Sequence, residues 1–224
     1  MTTPVRGFTL VEMMVVLAII VIITTIALLG QSSFNRSMVL TDTAYTIAFS
    51  VREAQALGIS SRAFAGTQDA GYGIHFANLS PTSYKLFADT YPIAPGDTQY
   101  TAICPGHPNV ATSNPEAKPG DCIQTLESEV VRTYSLNNGF RVSGFCGRQS
   151  NGVQLCNGAI DALDIVYLRP NTQSVITGVN GGTRTALVDA TIRVTSPDGV
   201  DERCIYVSRV GQVSVVQKGE TECP

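Results

Sequence analysis

From Leu10 to Leu29 every residue is apolar or uncharged except one, Glu12. An α-helix rises about 1.5 Å per residue, so roughly 20 residues cross the ~30 Å hydrocarbon core of a bilayer. A carboxylate inside such a segment costs about 2.5–3.5 kcal/mol on insertion scales. A plain membrane anchor gains nothing from that cost. Glu12 therefore calls for a partner, and the segment reads as a helix suited to both lipid and a protein neighbour.

Other readings of this segment fit less well. A secretory signal peptide has a basic start, an apolar run of about 7–15 residues and a small-residue cleavage site. Here the run is longer, an acid sits near its start, and no A-x-A follows. A buried core helix is shorter than this. A simple single-pass anchor stays open, as does a Glu12 that merely snorkels to the interface.

Gly7-Phe8-Thr9-Leu10-Val11-Glu12 resembles the processing site of type IV prepilins and type II secretion pseudopilins. The resemblance implies cleavage by a prepilin peptidase between Gly7 and Phe8 on the cytoplasmic side, then N-methylation of Phe8. It also implies that Glu12 pairs with the terminal amine of a neighbouring subunit during assembly. The physics agrees, because a buried carboxylate is tolerable when matched to a cation, and a helix N-terminus favours negative charge.

The chain has 224 residues, 44% of them hydrophobic, enough for one compact domain beyond the helix. Its formal charge is −3, and loss of Arg6 with a leader would make it −4. That balance offers no bulk attraction for nucleic acid or anionic lipid. All six cysteines, Cys104, Cys122, Cys146, Cys156, Cys204 and Cys223, lie beyond the apolar helix. None forms a C-x-x-C, and His75 and His107 lack the spacing of zinc ligands beside them. Oxidised pairs outside the cytoplasm fit better than a metal site. Connectivity is open; sequence neighbours would pair as Cys104–Cys122, Cys146–Cys156 and Cys204–Cys223, the last resembling the C-terminal disulfide loop of many pilins. Arg6 on the short side of the helix is a weak positive-inside signal, and with the cysteines it places the bulk of the chain outside the inner (cytoplasmic) membrane.

After Gly30 no proline occurs until Pro81, and Ala44, Ile47, Ala48, Val51 and Ala54 recur at helical spacing. One helix is expected from about Phe8 to Leu57, with Arg52 and Glu53 off the apolar stripe and Gly58 as its stop. Gly30 weakens it locally. Beyond it the pattern changes to period two. Strands are expected at 73–76, 84–87, 130–136, 140–145, 163–168, 174–177, 187–195, 204–208 and 212–216. Asn137-Asn138-Gly139, Asn180-Gly181-Gly182, Pro197-Asp198-Gly199 and Val210-Gly211 join them. A long surface loop, 91–122, bracketed by Cys104 and Cys122, interrupts the series.

The fold class expected is α+β: a long N-terminal helix packed on an antiparallel β-sheet domain, the pilin fold by resemblance. The segments are a leader (1–7), a transmembrane and assembly half-helix (8–30), an amphipathic half-helix (31–58) and an extracytoplasmic β domain (59–224). Several stretches further resemble the H-type minor pseudopilins (GspH/FimT-like). They are Arg52-Glu53-Ala54-Gln55-Ala56, Tyr72-Gly73-Ile74-His75-Phe76, Leu86-Phe87-Ala88-Asp89, Asp164 to Pro170, and Cys204 to Val213.

No active site stands out. His75 and His107 have no nucleophile or base near them in sequence, so both read as structural and the chain as a non-enzyme. Asp89, Asp97 and Asp121 flank the long loop, but their spacing is irregular for calcium, which needs about six to eight oxygens. Gly144–Gly147 and Gly178–Gly182 precede no helix, so no phosphate-binding loop is read there. No cofactor or metal is expected. The partners implied are prepilin peptidase, other pilin or pseudopilin subunits and the inner membrane. An alternative is a competence pilin that binds DNA through Arg193, Arg203, Arg209 and Lys218. Against it, Asp198, Asp201, Glu202, Glu220 and Glu222 are interleaved with those cations. An unrelated membrane-anchored β domain is the third reading.

Overall fold

A computed structural model describes residues 7–60, 62–64, 70–89, 130–156, 158–167, 172–181, 183–220 and 223. A single helix, α1, runs Leu10–Ile59, through Gly30 and one residue past Gly58. The chain divides into two units at Val39 and Leu40.

In the first unit, Leu10–Leu28 is long and apolar enough to cross a membrane, and none of it is buried. At about 1.5 Å per residue its 19 residues span ~28 Å. The hydroxyls of this stretch do not compete with its surroundings. Thr24 donates to the Ile20 carbonyl at 2.8 Å and Thr25 to the Val21 carbonyl at 2.7 Å. Polar groups satisfied inside the helix are what a lipid environment demands.

The second unit, Leu40–Pro224, is α+β. Its helical part buries one stripe: Leu40, Ala44, Ile47, Ala48, Val51 and Ala54. Among the described residues eleven strands follow: β1 Gly71–Ala77, β2 Ser83–Asp89, β3 Val130–Ser135, β4 Arg141–Arg148, β5 Gln154–Leu155, β6 Ala162–Tyr167, β7 Ser174–Asn180, β8 Thr183–Leu187, β9 Asp189–Thr195, β10 Glu202–Ser208 and β11 Val213–Gln217. They form two antiparallel sheets, ordered β3-β2-β1-β6-β7-β8 and β11-β10-β9-β4-β5. One core gathers the helix stripe with Ile74, Phe76, Leu163 and Ile165 of the first sheet and Phe145, Ile192, Ile205 and Val207 of the second.

The strand expected over 187–195 is β9 from Asp189 onward, while its first residue, Leu187, instead ends β8, an unforeseen strand in the other sheet. β8 ends at Leu187, β9 begins at Asp189, and Val188 makes the corner. The hydrogen bonds of Val188 hold that corner: its N–H donates to the Arg148 carbonyl at 2.7 Å and its carbonyl accepts from Arg209 at 2.9 Å. Leu187 fills the space above Gly147 of the second sheet and Gly178 of the first, where a Cβ at either position would press on its side chain. Both sides of the corner read as β-formers, so periodicity does not reveal it. β5, two residues long, also went unforeseen. Asn137-Asn138-Gly139 turns the chain from the first sheet to the second with Asn138 and Gly139 at positive φ, rather than closing a hairpin.

The helix is keyed to the sheets by close approach and by buried polar contacts. A Cβ on Gly58 would overlap the carbonyl oxygen of Tyr167, so the helix end and β6 meet backbone to backbone. Ser50 shares a 3.0 Å hydrogen bond with the Tyr84 hydroxyl. Tyr84 stacks on Tyr134 at 4.9 Å, and the Tyr134 hydroxyl donates to Glu53 at 2.5 Å. Arg132 approaches the same carboxylate at 3.6 Å. Arg52 donates to the Val213 carbonyl at 3.0 Å. Arg52 and Glu53 lie off the apolar stripe, as expected, yet both bind the β domain.

Candidate functional site

Gly7, Phe8 and Thr9 precede the helix, and Leu10 is its first residue. Thr9 is the cap: the Glu12 backbone N–H donates to the Thr9 hydroxyl at 3.2 Å, and Met13 N–H donates to the Thr9 carbonyl at 3.2 Å. Thr9-Leu10-Val11-Glu12 thus has the threonine and the glutamate of a capping box, with Glu12 in the first turn. The motif was legible in the sequence through the T-x-x-E spacing but was not read there. A threonine cap fixes where the helix begins, and so fixes Glu12 at the N-terminal, partially positive end of the helix.

Phe8 is 78% exposed, Leu10 77%, and Glu12 is exposed as well. Among the described residues, a Cβ added at Gly7 would meet nothing within 4 Å. The residues the sequence singled out are brought together by chain adjacency and by the start of the helix.

The four candidate DNA-binding cations lie on or beside β9, β10 and β11. Two of them converge on one carboxylate: Arg193 Nε is 3.6 Å from Glu202 Oε1, and Lys218 Nζ is 3.6 Å from Glu202 Oε2. Arg203 donates to the Glu202 carbonyl at 2.9 Å. Arg209 stands in the turn between β10 and β11, exposed. Glu202 offsets the charge of the cluster, and a phosphate backbone would have to compete with it.

His75 has a carboxylate partner that the sequence did not disclose. Its Nδ1 lies 2.6 Å from Oδ1 of Asp164, which is fully buried and directly opposite it in the β1–β6 register. The pair ties two central strands together. A second buried carboxylate, Asp189, accepts from the Arg148 backbone at 3.1 Å and from its guanidinium Nε at 3.0 Å.

Cys146 is bonded to Cys156 and Cys204 to Cys223. Among the described residues the one cluster with metal-ligand composition is Glu202, Cys204 and Cys223, and its two sulfurs are spent in that disulfide. Cys104, Cys122, His107, Asp97, Asp121 and the 91–122 loop lie outside the described residues, and Asp89 ends β2 opposite Gly71 of β1.

A capped apolar helix carrying one acid in its first turn, followed by an antiparallel α+β domain, is consistent with the α+β pilin fold. Residues 3–28 match the family model described as the prokaryotic N-terminal methylation motif, so the chain carries a type IV prepilin-like N-terminus. That motif implies processing by a peptidase and assembly with other pilins, and a structural subunit anchored in a membrane. No curated protein and no solved structure was found to match the chain.

Proposed function

We propose that this chain is a minor pilin or pseudopilin, a subunit assembled into a type IV pilus or a type II secretion pseudopilus. In this reading residues 1–7 are a leader removed by prepilin peptidase, and Phe8 becomes the N-methylated terminus. Residues 8–30 hold the subunit in the inner membrane before assembly and in the filament afterwards. The amphipathic half-helix, 31–58, carries the β domain, 59–224, on the extracytoplasmic side. Glu12 pairs with the terminal amine of a neighbouring subunit.

One observation carries the proposal: an unburied apolar helix of membrane length holds a single carboxylate in its capped first turn, inside a matched methylation motif. Such a carboxylate is costly in hydrocarbon and becomes tolerable when a cation meets it there. The minor, H-type role is supported by the order of the resembling stretches, which fall on the helix end, β1, β2, β6 and β10–β11.

The experiment separates processing from assembly. A Gly7 substitution is expected to leave the full-length precursor in the membrane. Glu12→Ala is expected to be processed normally yet to be missing from sheared filaments. Equal recovery of the Glu12 variant in filaments would show that its charge is incidental.

A further inference from the structure

The two described disulfides differ in what surrounds them. Cys204 and Cys223 are both buried, at 0% and 2% exposure. In the other pair Cys146 is buried at 1%, whereas Cys156, just past β5, is partly exposed. Arg193 stands beside the buried sulfur: its Nη2 donates to Cys146 Sγ at 3.4 Å. A guanidinium stabilises a thiolate far better than a thiol, which makes the sulfur it touches the better leaving group.

We propose that Cys156 is a built entry point for thiol–disulfide exchange, with Arg193 stabilising Cys146 as the leaving thiolate. Access and leaving-group stabilisation select the same direction of attack. An incoming thiolate reaches the Cys156 sulfur, and a new S–S bond forms there. The Cys146–Cys156 bond breaks, and its electron pair leaves on Cys146 Sγ beneath the Arg193 guanidinium. A second equivalent of thiol then frees Cys156, so that the disulfide is reduced and the two added thiols are oxidised to their own disulfide. The ligand class is a thiolate nucleophile, whether a small thiol or the exposed cysteine of a dithiol oxidoreductase.

The consequence lies in the second sheet. The disulfide closes a short loop that holds β5 against β4, where Leu155 pairs with Gly147 and Gln154 with Arg148. A two-residue strand is held by few hydrogen bonds and depends on its tether. Opening the bond releases β5 and uncovers the outer edge of β4, a backbone template for another strand. Glu202, 3.6 Å from Arg193, tempers the effect by drawing on the same cation.

The test uses the full chain in detergent micelles, exposed to reduced glutathione under native conditions. Free thiols are capped at intervals with an alkylating agent, and adducts are mapped by peptide mass spectrometry. The expected result is glutathione on Cys156, the alkyl group on Cys146, and Cys204–Cys223 still closed. Arg193→Gln is expected to slow formation of the Cys156 adduct by at least about threefold, and Glu202→Gln to speed it. Glutathione on Cys146, earlier opening of Cys204–Cys223, no adduct on Cys156, or an Arg193→Gln rate that is unchanged or faster would each overturn the proposal. The direction of attack in the unsubstituted chain decides it even where a variant unfolds.

Discussion

Glu12 and His75 are both ionisable residues whose meaning depends on a partner, and they differ in where that partner is found. Glu12 is legible in the sequence because its context is local: an apolar run around it, a glycine–phenylalanine junction before it, and a threonine three residues back that proves to cap the helix. His75 is not, because Asp164 lies 89 residues away and meets it only when β1 pairs with β6. The same non-locality hid Arg193 beside Cys146 and Arg148 beside Asp189. His75→Ala would leave the fully buried Asp164 carboxylate without this partner, a loss on the order of 3 kcal/mol for a broken buried pair. Urea unfolding followed by circular dichroism should show a lower midpoint with an unchanged slope. An unchanged midpoint would mean that the pair contributes nothing to stability.

At the scale of elements, helical spacing disclosed the stripe from Ala44 to Ala54 because 3.6-residue periodicity is a property of the segment itself. The corner at Val188 was invisible for the converse reason: both of its sides alternate like one strand, and only Leu187 over Gly147 and Gly178 marks the change of sheet. The helix end is keyed by Gly58 against the Tyr167 backbone. Gly58→Ala, which a helix interior would ordinarily welcome, is therefore expected to cost about 1–3 kcal/mol through overpacking. A gain in thermal midpoint for that variant would show that the helix end can shift away from β6.

The helix–sheet contact also sets a response to alkali. Burial raises the Tyr84 hydroxyl from 10.0 to about 12, against the opposing effect of its hydrogen bond to Ser50, and burial raises Tyr167 as well. The unfolded chain loses these protons first, so it binds fewer protons than the folded chain once the pH passes about 10. Stability is therefore full below pH 10 and falls as pH rises towards 12. Tyr84→Phe should flatten that fall. Urea midpoints measured on either side of pH 10 check it, and a parallel fall in the variant would assign the effect to other groups.

For the whole molecule, the first unit holds an exposed apolar stretch, Leu10–Leu28, with one charge in it, Glu12, and the second is a self-sufficient core of helix stripe and two sheets. That division suits a subunit whose helix serves assembly and whose β domain meets partners or cargo. Three of the four cations weighed for DNA, Arg193, Arg203 and Lys218, contact Glu202, so the full chain is expected to give no salt-sensitive retardation of DNA in gels. Retardation that vanished with added salt and with Arg209→Ala would favour the competence reading instead.

The most direct measurement is the mass of the mature N-terminus, taken from the protein purified out of its native cells. A chain beginning at Phe8 and carrying one added methyl group on its amine is the predicted result. A chain that still begins at Met1 would contradict the pilin reading, and with it the role proposed for Glu12.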